Sequence, residues 1–365
     1  MTFDTTEDKR LNESDEQREA WLSWGPYLSE RQWGTVREDY SPGGTAWDYF
    51  PHDHARSRAY RWGEDGIAGI SDSDQRLCFG LSLWNGRDPI LKERMFGLTN
   101  DQGNHGEDVK ELYFYQDSTP SHSYMKMLYK YPQSEFPYKD LIDENAHRKA
   151  TDSSAPEYEL IDTGVFDNGD YFDVEVEYAK RTETDILVRI SVTNNAQEDR
   201  KIWLLPTLWF RNNWAWDSDT PKPALIGEGN STVSVTHNDP DLNGFRFICP
   251  DADKIVFCEN ETNAARVFGS ASSTLYPKDG INDHIVNGAA TISPDSTGTK
   301  ASAVYQRIIK AGQTTSVTLR LAYDKKATSL GKTPTTVFDT RIKETDEFYQ
   351  KRLPATTSAD RKNIY

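Results

Sequence analysis

The chain has 365 residues, and its 58 acidic against 42 basic residues give a formal net charge of -16. That charge repels nucleic acids and anionic membrane surfaces and favours neutral or cationic partners. Aromatic residues make up 12% of the chain, enough for a large core despite a mean hydropathy of -0.77, which excludes global disorder. No run reaches the roughly 20 apolar residues of a membrane span, and the polar start has no export signal, so we expect a cytoplasmic protein.

The N-terminal segment, residues 1–25, is mostly polar. Its first dozen residues are predicted to be frayed. Ser14 followed by Gln17 resembles a capping box and predicts a short helix through Leu22, which Gly25-Pro26 ends. The following residues 31–66 show no sustained period and are predicted to form an ordered loop.

Residues 26–325 are predicted to form a β-sandwich that includes these long loops. Apolar and polar residues alternate in three stretches, which is typical of half-buried strands: 172–178, 186–192 and 317–323. Further strands are predicted over 76–84, 109–115, 123–131, 201–210, 244–249, 254–258 and 303–310. Many short strands separated by turns indicate a mainly β protein, a large antiparallel β-sandwich with a short N-terminal helix and a C-terminal linker helix.

Residues 326–365 are predicted to contain a helix over 337–349 and then a linker. The helix would place Val337, Ile342, Phe348 and Tyr349 toward one side. The tail over 354–365 is poor in apolar residues, as linkers are.

The three cysteines are Cys78, Cys249 and Cys258, an odd number without a C-x-x-C pair. Buried, reduced thiols are predicted. In an oxidising compartment, Cys249 and Cys258 are an alternative disulfide pair across a hairpin.

The densest mixture of aromatic and charged side chains lies in residues 49–66. Trp62 offers an apolar face to a sugar ring, and nearby polar side chains can fix sugar hydroxyls. The predicted substrate-binding residues here are Tyr60, Arg61, Trp62, Glu64 and Asp65. The alternative is structural: an ion-pair network of Arg56, Arg58 and Arg61 with Asp53, Glu64 or Asp65 would hold the loop, with Trp62 in the core.

A second aromatic block, residues 204–217, passes from a strand into a polar loop. Core packing explains Leu204, Leu208 and Phe210. Trp214 and Trp216 are predicted to be either core residues or an exposed surface for a sugar.

His52 and His54 suggest a cupin-like metal site, which is a remote alternative. The next four residues contain no carboxylate, and Arg56 and Arg58 disfavour a divalent ion. We therefore predict no metal and no cofactor, and we expect His105 and His122 to anchor loops.

Several stretches closely resemble bacterial glucosidase-like members of glycoside hydrolase family 63. They are residues 30–40 (ERQWGTVREDY), the block 50–66, 85–87 (NGR), 92–98 (KERMFGL), 104–111 (NHGEDVKE), 124–129 (YMKMLY) and 206–212 (PTLWFRN). In that family an N-terminal antiparallel super-sandwich precedes an (α/α)-barrel catalytic domain. The resemblance implies that this chain corresponds to the sandwich.

The resemblance also implies that the acid and base of the inverting reaction lie in the helical domain. A helical barrel needs on the order of 250 residues, more than follow Tyr323, so no catalytic residue is assigned here. The predicted function is a non-catalytic sandwich that packs on a helical-barrel domain, in the same or a neighbouring chain, and shapes its entrance for an oligosaccharide or glucoside. An autonomous carbohydrate-binding module is the main alternative.

Overall fold

Two antiparallel β-sheets pack face to face, which confirms the predicted β-sandwich. The computed structural model describes residues 4–16, 20–30, 52–59, 65–98, 108–152, 154–215 and 219–364. Strands are numbered here in chain order. A separate two-stranded ribbon consists of β4 (Gly97–Leu98) and β5 (Asp108–Val109).

The smaller sheet has six strands. Their spatial order is β1 (Trp24–Pro26), β2 (Ile67–Asp72), β3 (Leu77–Trp84), β10 (Arg200–Phe210), β16 (Lys300–Ile309) and β14 (Lys254–Cys258). The strand β16 comes late in the chain but lies between two earlier strands.

The larger sheet has nine strands. Their spatial order is β15 (Thr297–Gly298), β11 (Ala224–Glu228), β12 (Thr232–Thr236), β13 (Phe245–Ile248), β17 (Thr314–Tyr323), β9 (Asp185–Asn194), β8 (Tyr171–Thr182), β7 (Tyr124–Pro132) and β6 (Leu112–Ser118). The predicted strands match these elements within a few residues, except that the stretch 109–115 divides between β5 and β6.

The outer faces of the two sheets differ in how deeply their residues are buried. On β8, Phe172 and Val174 enter the core, whereas Asp173 on the opposite side pairs with Lys130 at 2.5 Å. On β3, by contrast, alternate residues face the core and the outside, yet Cys78 on the outer side is as buried as Phe79 on the inner side. Loops therefore cover the outer face of the six-stranded sheet.

Six α-helices lie wholly within the described ranges: α1 (Thr6–Asp15), α2 (Tyr138–Thr151), α3 (Ala264–Phe268), α4 (Gly280–Asn287), α5 (Pro334–Arg352) and α6 (Ala359–Ile364). The helix predicted over 337–349 corresponds to α5. The predicted linker contains α6, and α2 was not predicted. None of these helices is long and apolar enough to cross a membrane.

The predicted fraying of the first dozen residues is wrong for residues 4–12, the part of this stretch that the structure describes. Thr5 caps α1 through a capping box with Asp8, and the helix ends at Asp15. The predicted box at Ser14 is also wrong, because Ser14 lies in the last turn of this helix. The helix is ordered because Glu7 is fully buried and accepts hydrogen bonds from the Ser121 backbone at 2.7 Å and from the Ser121 hydroxyl at 2.8 Å.

Ion pairs join α1 to α5. Arg10 donates to Glu344 at 2.5 Å and to Glu7 at 3.2 Å, and its side chain is 6% exposed. Arg10 also lies over the Trp21 ring, 5.0 Å from its centroid. The predicted terminal segments 1–25 and 326–365 thus pack on each other and on the sandwich, and their boundaries stay predictions.

All three cysteines are buried, free thiols, which confirms the predicted reduced state. The alternative disulfide between Cys249 and Cys258 is wrong. Cys249 follows β13 in the nine-stranded sheet, whereas Cys258 ends β14 in the six-stranded sheet. Burial raises the pKa of the Cys258 thiol to about 12, so this thiol is inert at neutral pH.

Replacing Arg10 by Met should lower the free energy of unfolding by about 3 kcal/mol, because it leaves the buried Glu7 without its cation. The neighbouring Lys9→Met is the matched control, since Lys9 is 66% exposed and should matter little. Urea denaturation of both variants measures the difference. Equal effects of the two substitutions would show that Arg10 does not lock the terminal helices.

Candidate functional site

The predicted substrate-binding residues fall in two groups. Asp65 and Trp214 lie in the described part of the chain. Tyr60, Arg61, Trp62, Glu64 and Trp216 lie outside the described residues. The candidate site therefore consists of the described side chains that contact the ends of these two loops.

Residues 65–66, the described end of the first loop, lie directly on the outer face of the six-stranded sheet. A Cβ atom on Gly80 of β3 would lie 2.8 Å from the Cα of Gly66, so a glycine at position 80 permits the close approach. Gly66 has a φ of +89°, and its N–H donates to the Glu93 carbonyl at 2.7 Å. Tyr27 donates its hydroxyl to the Asp65 carbonyl at 2.7 Å. The backbone at residues 65–66 is thereby fixed.

Asp65 is buried, with 7% of its surface exposed, and its carboxylate binds two cations. Lys278 lies 2.5 Å away and Arg94 lies 2.8 Å away. Burial alone would raise the pKa of Asp65, but Lys278 and Arg94 outweigh burial and hold it at about 2. Asp65 is therefore ionised, and a sugar hydroxyl could reach it only by opening an ion pair.

The predicted ion-pair network assigned Asp65 to arginines of its own loop, Arg56, Arg58 or Arg61. Arg56 pairs with Asp53 at 3.4 Å, as that network predicted. The cations on Asp65, however, come from distant segments. Lys278 also donates to the carbonyls of Ala55 and Arg58, each at 3.0 Å, and so ties residues 52–59 to Asp65.

Two more buried ion pairs surround Asp65. Glu93 accepts from Lys300 at 2.6 Å, and Lys92 donates to Glu111 at 2.6 Å. Burial would lower the pKa of Lys300, but Glu93 outweighs burial and raises it. Three consecutive residues, 92–94, thus carry buried charges with three different partners. These residues belong to the family-like stretch 92–98, but their sequence pattern predicted no role for them.

The second loop meets the first on a shared segment, residues 259–266. Trp214 is half-buried, and its indole N–H donates to Glu261 at 3.1 Å. The Ala59 N–H donates to Thr262 at 3.1 Å, and the Asn263 N–H donates to the Ser57 carbonyl at 2.8 Å. The described ends of both predicted substrate loops therefore converge at one side of the six-stranded sheet.

His52 and His54 lie in a short 3-10 turn, His52–His54. The His52 ring packs against Phe96 and Tyr138, with centroids 4.9 Å and 5.4 Å away. Burial and the nearby Arg58 lower the pKa of His54. Across the described ranges, no group of three or more His, Cys, Asp or Glu side chains is placed to hold a metal ion.

Beneath His52 lies a buried acid that sequence reasoning missed. Asp88 is 1% exposed and accepts hydrogen bonds from the hydroxyls of Tyr138 at 3.2 Å and Tyr131 at 3.3 Å. Burial raises the pKa of Asp88 to about 6, although Lys92 partly offsets the rise. Asp88 is too deeply buried to reach a substrate.

Comparison with known proteins gives one close relative in sequence. An uncharacterized protein of Saccharomyces cerevisiae, YMR196W, is 39% identical over 404 aligned residues, which take in 99% of this chain and 37% of the yeast protein. The chain thus spans little more than a third of that relative. No protein-family profile matches the chain.

Solved structures give weak similarities. A putative kojibiose phosphorylase from the human microbiome covers 53% of this chain and 21% of its own, with 11% identity and a TM-score of 0.23. The polysaccharide lyase BACCELL_00875 covers 68% of this chain and 25% of its own, with 11% identity and a TM-score of 0.29. At these scores neither alignment supports an argument, and the resemblance to glycoside hydrolase family 63 stays a prediction.

The stability of the protein should fall as the pH rises through the range between the unfolded and folded pKa values of Asp88. The folded pKa of about 6 lies above the ordinary aspartate pKa of 3.8, so the folded state holds a proton that the unfolded state releases. Asp88→Asn imitates the protonated acid and should remove this part of the pH dependence, up to about 3 kcal/mol between pH 4 and pH 7.

Urea denaturation at several pH values measures the change. Asp143→Asn, at an acid on α2 whose side chain is 59% exposed, is the control and should leave the pH profile unaltered. If Asp88→Asn follows the wild-type profile, Asp88 is already ionised in the folded protein at low pH.

Proposed function

We propose that the chain is the sandwich domain of a glucosidase-type glycoside hydrolase of family 63, and that it packs on a helical-barrel catalytic domain and shapes its substrate entrance. The observation that carries the proposal is the convergence of the described ends of the two aromatic loops on residues 259–266. In this proposal the loops face the entrance and contact a gluco-configured oligosaccharide or glucoside.

The contacts in the site suit such a role. An aromatic face recognises the apolar C–H groups of a sugar only if it is held in a fixed orientation. Glu261 fixes the Trp214 indole, and it is itself bound by Lys222 at 2.6 Å and by the Ser273 hydroxyl at 2.5 Å. In the proposal, Trp62 and Trp216 provide further sugar-binding faces, with Tyr60, Arg61 and Glu64 as polar contacts.

The ion pairs of Asp65 also support the assignment of catalysis to the helical-barrel domain. Inverting hydrolysis needs a general acid that is protonated at working pH and a base on the other side of the bond. Asp65 has a pKa of about 2 and is bound by two cations, so it suits a structural role rather than proton donation. We assign the acid and base to the partner domain, which is in the same or a neighbouring cytoplasmic chain.

A carbohydrate-binding module that acts without a catalytic partner is the second candidate. The observation in its favour is that the sandwich has its own continuous core between the two sheets. Such a module would bind an oligosaccharide with its own surface, whereas an entrance domain supplies part of a subsite. The strength of sugar binding by this chain distinguishes the two candidates.

The purified chain should not hydrolyse aryl α-glucosides. It should bind α-linked gluco-oligosaccharides weakly, with a Kd of about 1 mM or above. Trp214→Phe removes the indole N–H and part of the ring face, and should weaken binding about threefold or more. Trp203→Phe is the matched control, because Trp203 lies on β10, the strand before the Trp214 loop, and packs on Trp84, with ring centroids 4.5 Å apart. Isothermal titration calorimetry and a chromogenic assay give both readouts.

Three results would change the assignment. Hydrolysis that disappears in Glu93→Gln would show that the chain is itself catalytic. Micromolar binding that depends on Trp214 would favour the autonomous module. Equal effects of the two tryptophan variants would remove the Trp214 loop from any sugar site.

A further inference from the structure

A cleft of about 300 Å³ opens at the start of β10, beside the turn that follows β3. Its walls include the turn 85–87, Gln133, Arg200, Lys201 and Trp203. The strand β10 has 11 residues, and the Trp214 loop begins at its other end. At about 3.3 Å per residue, roughly 30 Å separates the two ends. The cleft is therefore distinct from the candidate site on residues 259–266.

The turn 85–87 is held rigidly. The side-chain carbonyl of the buried Asn85 accepts a hydrogen bond from the Arg87 N–H at 2.9 Å, and its amide group donates to two carbonyls of the segment 132–134, at 2.9 Å and 2.7 Å. Gly86 has a φ of +78°, and a Cβ atom on it would lie 3.2 Å from the Trp203 ring. The backbone next to Arg87 is thereby fixed against this indole.

Two basic side chains of the cleft, Arg87 and Lys201, have no acidic partner. Both residues are exposed, and among the residues that the structure describes neither side chain forms an ion pair. The Lys201 Nζ lies over the Trp203 ring, 4.5 Å from its centroid. A cation–π contact orients an ammonium group but leaves its charge uncompensated. The two cations therefore lie next to the same indole and are available to an anion.

The other charged groups around the cleft are already paired. Arg200 donates to Glu198 at 2.6 Å and lies 3.5 Å from Asp170. Asp199 accepts from Lys310 at 2.5 Å. The positive charge of the cleft therefore comes from the two unpaired cations, in a chain whose formal net charge is -16.

We propose that this space, the Arg87 cleft, binds the phosphate group of a small phosphate monoester. Such a group carries a charge of about -1.5 to -2 at neutral pH, which matches the two cations. The Arg87 guanidinium donates two parallel hydrogen bonds to phosphate oxygens, and the Lys201 ammonium binds as a point charge. The volume is at the lower end for small-molecule sites, so it suits a metabolite with few carbon atoms. The site does not depend on the proposed sugar-related function.

Charge favours a free phosphate ester over other anions. A phosphate on a nucleic acid or a membrane surface would bring the whole acidic chain against a second negative surface. A small ester does not meet this repulsion. A carboxylate carries a single charge and therefore matches only one of the two cations.

Isothermal titration calorimetry of the full chain with glycerol 3-phosphate tests the proposal. This probe contains no sugar ring, so the result is independent of any sugar site near Trp214. Glycerol 3-phosphate should bind with a Kd of about 1 mM or below. Glycerate, which carries a carboxylate instead, should bind about fivefold more weakly or worse, and glycerol should give no signal.

Two double variants with the same change in net charge locate the site. Arg87→Gln with Lys201→Gln should weaken binding about tenfold or more. Lys9→Gln with Lys139→Gln, at side chains that are 66% and 85% exposed, should change binding by about twofold at most. Arg87→Lys keeps the charge but loses the paired hydrogen bonds, and should weaken binding about threefold.

A variant of opposite sign completes the test. Asp199→Asn removes an acid from the wall of the cleft and should strengthen binding about twofold. Equal weakening by the two double variants would overturn the proposal, because only the overall field would then matter. Equal binding of glycerol 3-phosphate and glycerate would overturn the choice of phosphate, and no binding of glycerol 3-phosphate at about 10 mM would remove the site altogether.

Discussion

The ion pairs of Asp65 with Arg94 and Lys278 hold together three chain segments that are far apart in sequence. Each of these charges is removed from water, so each depends on the others for its stability. Lys278 extends the same contact to the carbonyls of Ala55 and Arg58. Residues 52–59, Asp65, the loop after β3 and the segment before α4 therefore form one unit on the sheet.

These ion pairs explain why loops cover the outer face of the six-stranded sheet but not that of the nine-stranded sheet. The nine-stranded sheet has an outer face of polar and charged residues, such as the pair of Glu177 with Arg189 at 2.6 Å. The six-stranded sheet has small residues outside, including Gly80 and Ser82, and so allows loops to lie on it. Buried charges then fix those loops. A candidate site built on this face has a rigid base, which ligand recognition requires.

The sequence predicted the strands well because alternation is a local signal. Residues 172–178 show it clearly, and β8 follows it residue by residue. The start of the chain was mispredicted because the burial of Glu7 depends on Ser121, which local patterns cannot indicate. The helix α2 was missed for a similar reason: it has few apolar residues, and Leu141 and Asn145 are its buried positions.

The candidate site was predictable in composition but not in geometry. Aromatic and charged residues marked both loops, and Trp214 was recognised as a residue that could pack either way. The partners of Asp65 were not found, because Arg56 and Arg58 are nearer in sequence than Arg94 or Lys278. The convergence of the loops depends on contacts such as that of Ala59 with Thr262, which are 203 positions apart.

The strand order of the six-stranded sheet sets the order in which the chain can fold. The strand β14 pairs with β16 alone in that sheet, although β16 is synthesised later. During synthesis from the N-terminus, Phe257 and its neighbours remain unpaired until residues 300–309 leave the ribosome. The same late strand carries Lys300, the partner of Glu93. Completion of the sheet and neutralisation of Glu93 are thus a single late event. A nascent chain that ends before residue 300 exposes an open sheet edge to aggregation.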